Sequence, residues 1–166
     1  HEIKKDYSLV LHGMKEITEI GIMEKNMYFY DIMNILEDGI KKLIKAENIY
    51  GIIKFQLDEN FLTSSHFYLI SIFRNLLVNS VDAIGNRKNG EILFSQESNE
   101  KEYIFKIIDN GVGIKEENLK YIFSSGFSTK INYNTGNINR GLGLSIAEDI
   151  VVNKLNGNIK VYSELN

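Results

Sequence analysis

The chain of 166 residues contains no cysteine and no proline. Without cysteine there is no disulfide framework, no thiolate metal site and no cysteine nucleophile. The chain is therefore redox-silent, and a reducing compartment is allowed. Average usage would supply about eight prolines. Their absence, with heavy use of Ile, Lys and Asn, marks a biased composition, yet no segment is low-complexity. No run approaches the roughly 18 uninterrupted apolar residues of a membrane span, and no signal peptide opens the chain. Repeats at a period of about 20–50 residues and Pro/Gly/Ser linkers are also missing. Neither charge sign dominates: the formal net charge is −3 with 25% charged residues, without the basic excess of a general nucleic-acid binder. What is present is 43% hydrophobic residues, an ordinary globular share that excludes disorder and collagen-like chains. The length suits one domain with a substantial core. The chain opens on His1 rather than methionine, as expected of a fragment.

Apolar residues recur at spacings of three and four in two early stripes. Ile3, Tyr7, Val10, Leu11, Met14, Ile17 and Ile20 predict one helix, and Ile32, Ile35, Leu36, Ile40, Leu43 and Ile44 a second. The turn-like stretch 21–26 separates them. Ile52 to Leu57 is β-branched and short, a strand by length. Ser64 or Ser65 is a good N-cap for a long, buried helix running from Phe67 to Ile84. Strands over 91–96 and 103–108, joined across a turn cluster, predict an antiparallel hairpin. A short helix over 116–122, a polar stretch over 128–140, a helix over 143–155 and a strand over 157–164 complete the series. Helices segregated onto one face of a mixed, mostly antiparallel sheet make an α+β two-layer sandwich, with a helix before it. Because the last strand ends at the terminus, truncation is expected there too.

Four segments carry chemistry. Asn75, Asn79 and Asp82 are spaced by four and three, so they share one face of an otherwise apolar helix. Asn and Asp compete with the backbone for hydrogen bonds mid-helix, so three together want something polar to bind. Asp109-Asn110-Gly111-Val112-Gly113-Ile114 follows a strand, and its glycines permit close approach of backbone to a ligand. By itself this is ordinary turn chemistry. Arg140-Gly141-Leu142-Gly143-Leu144 opens a helix, whose unpaired N–H groups suit phosphate, with Arg140 beside them. Tyr121 to Lys130 sets Phe123 and Phe127 about Gly126, then Ser128, Thr129 and Lys130, groups suited to phosphate oxygens.

The order and spacing of the four resemble the nucleotide-binding domain shared by sensor histidine kinases, DNA gyrase, a heat-shock chaperone and the mismatch-repair ATPase. The match runs from about Tyr30 to Glu164 and implies the Bergerat-type ATP-binding fold. By that resemblance Asp109 receives the adenine amino group and Gly113 gives the base room, beside Ala83, Gly111, Ile114 and Phe123. Asn79 is the ligand of a Mg²⁺ that bridges the ATP phosphates, with Asn75 and Asp82 in support. Residues 128–140 form a lid, expected to be mobile without nucleotide. Lys130 and Arg140 reach the phosphates, and Gly141 to Leu144 start the helix beneath them. In hydrolysing relatives, position 75 resembles a glutamate that activates water.

The resemblance implies a protein-histidine kinase domain, residues 30–166, that moves the γ-phosphoryl of Mg-ATP to a histidine and thence to a response regulator's receiver domain. Residues 1–29 are then a remnant of the helical hairpin that carries the acceptor and makes the homodimer. They are too short for the whole hairpin. His1-Glu2-Ile3-Lys4 looks like an acceptor sequence, making His1 a candidate, whereas His12 and His66 read as structural. Asn139 stands where the family usually has glycine, which stiffens that end of the lid. The implied location is cytoplasmic, within a parent that a membrane anchor would suit, and no nucleic-acid partner is expected. The alternatives are a serine kinase that inhibits a sigma factor, an energy-coupling ATPase, and a non-catalytic nucleotide module.

Overall fold

The structure, a computed structural model, describes residues 5–12 as backbone and residues 26–128 and 141–165 in full. In chain order these form β1 (Lys5–His12), β2 (Met27–Tyr28), α1 (Phe29–Ala46), β3 (Gly51–Leu57) and β4 (Leu62–Thr63). Then follow α2 (His66–Ile84), β5 (Gly90–Ser98), β6 (Glu102–Asp109), α3 (Glu116–Leu119), α4 (Gly143–Asp149) and β7 (Asn158–Tyr162). A single wide π-helical turn, Ile150–Lys154, continues α4 toward β7.

Five strands make one sheet in the order β3-β5-β6-β1-β7, and β2 with β4 makes a separate ribbon. Among the described residues only the β3–β5 pair is parallel, so the sheet is mixed and mostly antiparallel. The expected α+β sandwich is the observed one. The hairpin forms where the sequence predicts it, with Ile92 opposite Asp109 and Phe94 opposite Ile107.

Period-2 alternation drives the packing. On β6, Tyr103, Phe105, Ile107 and Asp109 are buried while the residues between them are half-exposed. The buried face meets α1, through Phe29, Ile32, Met33, Leu36 and Ile40, and α2. Helix α2 buries ten residues, among them Leu69, Ile72, Phe73, Leu76, Leu77 and Val81. Phe73 lies edge-on to Phe94 at 5.0 Å, and Phe29 stacks on Phe61 at 4.7 Å. Helix α2 is also long and apolar enough to cross a membrane, a property it owes to its place in this core. Ile35, counted in the second helical stripe, faces solvent.

The first stripe is corrected. Lys5–His12, expected within a helix, is a strand. Residues 3, 14, 17 and 20 lie outside the described residues. The reason is tertiary: β1 pairs along its whole length with β6 and also with β7, so both its edges are satisfied. Tyr7, Leu9 and Leu11 stand opposite Ile107, Phe105 and Tyr103, the buried positions of β6. Sheet context of this kind overrides a helical period. His12 accordingly ends a strand, opposite Glu102. Ser65 is the N-cap of α2 by position but makes no side-chain cap bond; its N–H donates to Thr63 Oγ1.

Candidate nucleotide-binding site

The site is assembled on α2. Because Leu76, Leu77, Val81 and Ile84 are held in the core, the face bearing Asn75, Asn79 and Asp82 is turned outward. Asn75 and Asn79 are half-buried and Asp82 is exposed. Two other segments close upon this face.

The first is the loop after β6. Asp109 ends the strand fully buried, and its Oδ1 accepts the Gly111 N–H at 2.9 Å. Gly111 lies flat on α2: a Cβ there would sit 2.6 Å from the Ala83 backbone. The Val112 N–H donates to the Ala83 carbonyl at 2.9 Å, so Ala83 is the contact that fastens this loop to the helix. Gly113 has φ +75°, a left-handed conformation suited to glycine, and no Cβ fits beside the Glu164 carbonyl. Ile114 donates its N–H to Ser163 Oγ at 2.8 Å.

The second is the start of α4. A Cβ on Gly143 would lie 3.1 Å from Asn75 Oδ1, so the helix opens directly over Asn75. Gly141, at φ +59°, is pressed against the Phe127 carbonyl, and its own carbonyl accepts the Gly126 N–H at 3.3 Å. The two ends of the segment 128–140 are therefore joined at its base. Leu144 packs on the core, while Leu142 stays exposed.

Helix α2 thus meets Gly143 at Asn75 and Gly111 at Ala83, with Asn79 and Asp82 on the same helical face and Asp109 and Gly113 on the adjoining loop. Phe123 is half-buried in the turn after α3, and it is Ile122 beside it that enters the interior. Ser128 is the last described residue before 129–140. Thr129, Lys130 and Arg140 lie outside the described residues, as does His1. Sequence reasoning missed Ser163 and Glu164, which touch the Gly113–Ile114 backbone from a position 49 residues beyond Ile114. No spacing signal links them. A displaced pKa occurs at Tyr103, where burial and then the Glu59 carboxylate push the phenol up; this group belongs to the aromatic stack with Phe61.

The residues fit a purine nucleotide. A buried carboxylate, a glycine loop packed close to α2 beside it, and the Asn75 carboxamide under a glycine-opened helix supply groups for base and phosphates. Among the described residues no three His, Asp or Glu side chains converge as a protein-made metal cage. An oxygen ligand such as Asn79 suits Mg²⁺, which is held by few protein groups plus substrate phosphates.

Fold and site together define a two-layer α+β nucleotide-binding domain. Residues 66–166 match the family described as Histidine kinase-, DNA gyrase B-, and HSP90-like ATPase, and the chain belongs to that family. It is 29% identical over 163 residues to the sensor histidine kinase GlnK of Bacillus subtilis, covering 96% of this chain and 38% of that protein. It is 34% identical over 108 residues to a probable C4-dicarboxylate sensor kinase of Halalkalibacterium halodurans, covering 59% of this chain and 18% of that one. The chain thus spans well under half the length of these relatives. Among solved structures, the nucleotide-free catalytic domain of the histidine kinase ThkA superposes with a TM-score of 0.61 at 22% identity, covering 85% of this chain and 97% of that chain. Full-length ShkA in complex with AMPPNP gives a TM-score of 0.66 at 18% identity, over 89% of this chain and 29% of that chain. ThkA has also been solved in complex with the response regulator TrrA, with a TM-score of 0.58 at 19% identity, over 85% and 41% of the two chains. At these identities the structures establish the fold, that of histidine-kinase catalytic domains.

Proposed function

We propose that this chain is the ATP-binding catalytic domain of a sensor histidine kinase, transferring the γ-phosphoryl of Mg-ATP to a histidine for relay to a response regulator. The observation that carries the reading is that α2 meets both glycine segments, Gly143 at Asn75 and Gly111 at Ala83, eight residues or about 12 Å apart along the helix. The named relatives and the ThkA–TrrA complex support the regulator as partner. Residues 30–166 carry the candidate nucleotide contacts, and Lys5–His12, expected within a helical remnant, instead joins the same sheet as β1 between β6 and β7. Dimerisation through a helical hairpin and a cytoplasmic location in the parent belong to the same reading.

Asp109 accepts the adenine amino group from its buried position. Gly111 and Gly113 let the loop pack against Ala83 and Glu164, which sets the backbone beside which the base lies. Asn79 is the metal ligand, oriented by Asn75 and Asp82 on its own face. Bound Mg²⁺ would neutralise charge on the phosphate oxygens. Lys130 and Arg140, within 128–140, are the cations that the resemblance assigns to the phosphates. His1 is the candidate acceptor within this chain. In such a transfer the protein does little covalent chemistry; its residues position groups and balance charge.

Titration calorimetry with ATP, with and without Mg²⁺, tests the reading. Binding that strengthens with Mg²⁺ and weakens in Asn79→Ala is expected. Absence of ATP binding overturns it.

A further inference from the structure

The loop that would hold the purine is fastened to α2 and, through Asn110, to the start of β5, where the Asn110 N–H donates to the Glu91 carbonyl and Asn110 Oδ1 accepts the Glu91 N–H. Gly111 rests on Ala83, the Val112 N–H bonds the Ala83 carbonyl, and Asp109 Oδ1 receives the Gly111 N–H. These contacts stop at Val112. Gly113 and Ile114 are held from the opposite side, by the three residues after β7. Ser163 Oγ accepts the Ile114 N–H at 2.8 Å in a part-buried setting. The Glu164 carbonyl and Leu165 Cα lie where a Gly113 Cβ would project. Gly113 at φ +75° is thereby kept in a conformation it would share with many others if freed.

The segment that supplies this clamp is not separate from the phosphate end. From Gly143 the chain runs through α4 and the wide turn, fastened by Gly157 N–H to the Val151 carbonyl at 2.8 Å, and then through β7 to Ser163. One stretch of 23 residues (143 to 165) so touches Asn75 at its start and the purine loop at its end.

We propose that Ser163 is a positioning residue for the purine half of the nucleotide site, its hydroxyl setting the Gly113–Ile114 backbone against which the base lies. This rests on the nucleotide-binding reading above. Removing the hydroxyl leaves the Ile114 N–H without its acceptor, and the loop samples conformations in which the base pocket is misformed. The triphosphate, held by α2 and the start of α4, does not sense the change.

The test compares wild type, Ser163→Ala and Ser163→Thr for binding of ATP, adenosine and inorganic tripolyphosphate by calorimetry, with thermal unfolding and Ile114 amide exchange on each. In Ser163→Ala, ATP and adenosine are expected to weaken together by about three- to tenfold, the range of one lost hydrogen bond. Tripolyphosphate affinity stays unchanged, Ile114 exchange accelerates, and Ser163→Thr restores both. Unchanged adenosine affinity in Ser163→Ala, or an equal loss for tripolyphosphate, overturns the positioning role while leaving the nucleotide reading intact. A wild type that binds neither ATP nor adenosine overturns that reading and this inference with it. If Ser163→Ala does not fold, Ser163→Cys, a poorer acceptor of similar size, carries the same comparison.

Discussion

Asp109 combines two properties that rarely coincide in a structural residue: 1% exposure and a carboxylate. Burial of such a group is costly unless it is hydrogen-bonded. The Gly111 N–H at Oδ1 meets part of that need. Asp109→Asn keeps the shape but turns one acceptor position into a donor, which mismatches an exocyclic amine. ATP affinity is expected to fall by about 1–3 kcal/mol, read by calorimetry; undiminished affinity refutes the assignment of the base to this carboxylate. Gly113→Ala is more severe. It adds a Cβ against the Glu164 carbonyl and imposes φ +75° on a residue with a side chain. A lowered unfolding temperature together with lost ATP binding is expected, whereas a variant as stable as wild type would mean the tail does not pack there.

Elements were legible in proportion to how local their causes are. The α2 stripe, the β5–β6 hairpin and the glycine before α4 each carry their signal within a few residues, and each forms where the sequence predicts it. The polar face of Asn75, Asn79 and Asp82 was legible because helical spacing alone places it. Strand β1 was not, since its cause lies about 100 residues away in β6. Tyr7, Leu9 and Leu11 do alternate, but the adjacent pair Val10-Leu11 and the later Met14, Ile17 and Ile20 complete a helical period that outweighs them. The Ser163 contact was illegible for the same reason. The placement of β1 is open to a direct test, because the chain has no cysteine. Val10 pairs with Asn158. Antiparallel partners lie about 4.5–5.5 Å apart at Cα, within reach of a disulfide. Val10→Cys with Asn158→Cys should oxidise to one intrachain bridge. Val10→Cys with Tyr162→Cys, displaced by four residues or about 13 Å along β7, should stay reduced. The opposite pattern would overturn the β1–β7 register, and failure of both pairs to oxidise would remove β1 from its place beside β7.

For the molecule as a whole, the decisive question is whether bound ATP is spent on water or held for an acceptor, and it turns on position 75. Asn75 sits where Gly143 brings the start of α4 onto α2, with its Oδ1 3.1 Å from the place of a Gly143 Cβ. In hydrolysing relatives the resemblance sets a glutamate here, a base for the attacking water. An asparagine amide has no basic lone pair to offer at neutral pH. General-base catalysis contributes about 10²–10⁴-fold, so without it water remains a poor nucleophile even when Mg-ATP is well bound. A transfer enzyme gains from that deficiency, because the nucleotide persists until a histidine arrives. This chain is therefore expected to bind ATP in a Mg-dependent manner and release phosphate at close to the background rate. Phosphohistidine should form only with an acceptor, either His1 or a histidine in the longer parent. Free phosphate and acid-labile protein-bound phosphate measured on one sample separate the cases. Steady multiple-turnover release without phosphohistidine in the full-length protein would assign the domain to the ATPases. Asn75→Glu supplies the positive control: a rise in hydrolysis places residue 75 beside the attacking water, while no rise in a folded, ATP-binding variant takes the discrimination away from this position.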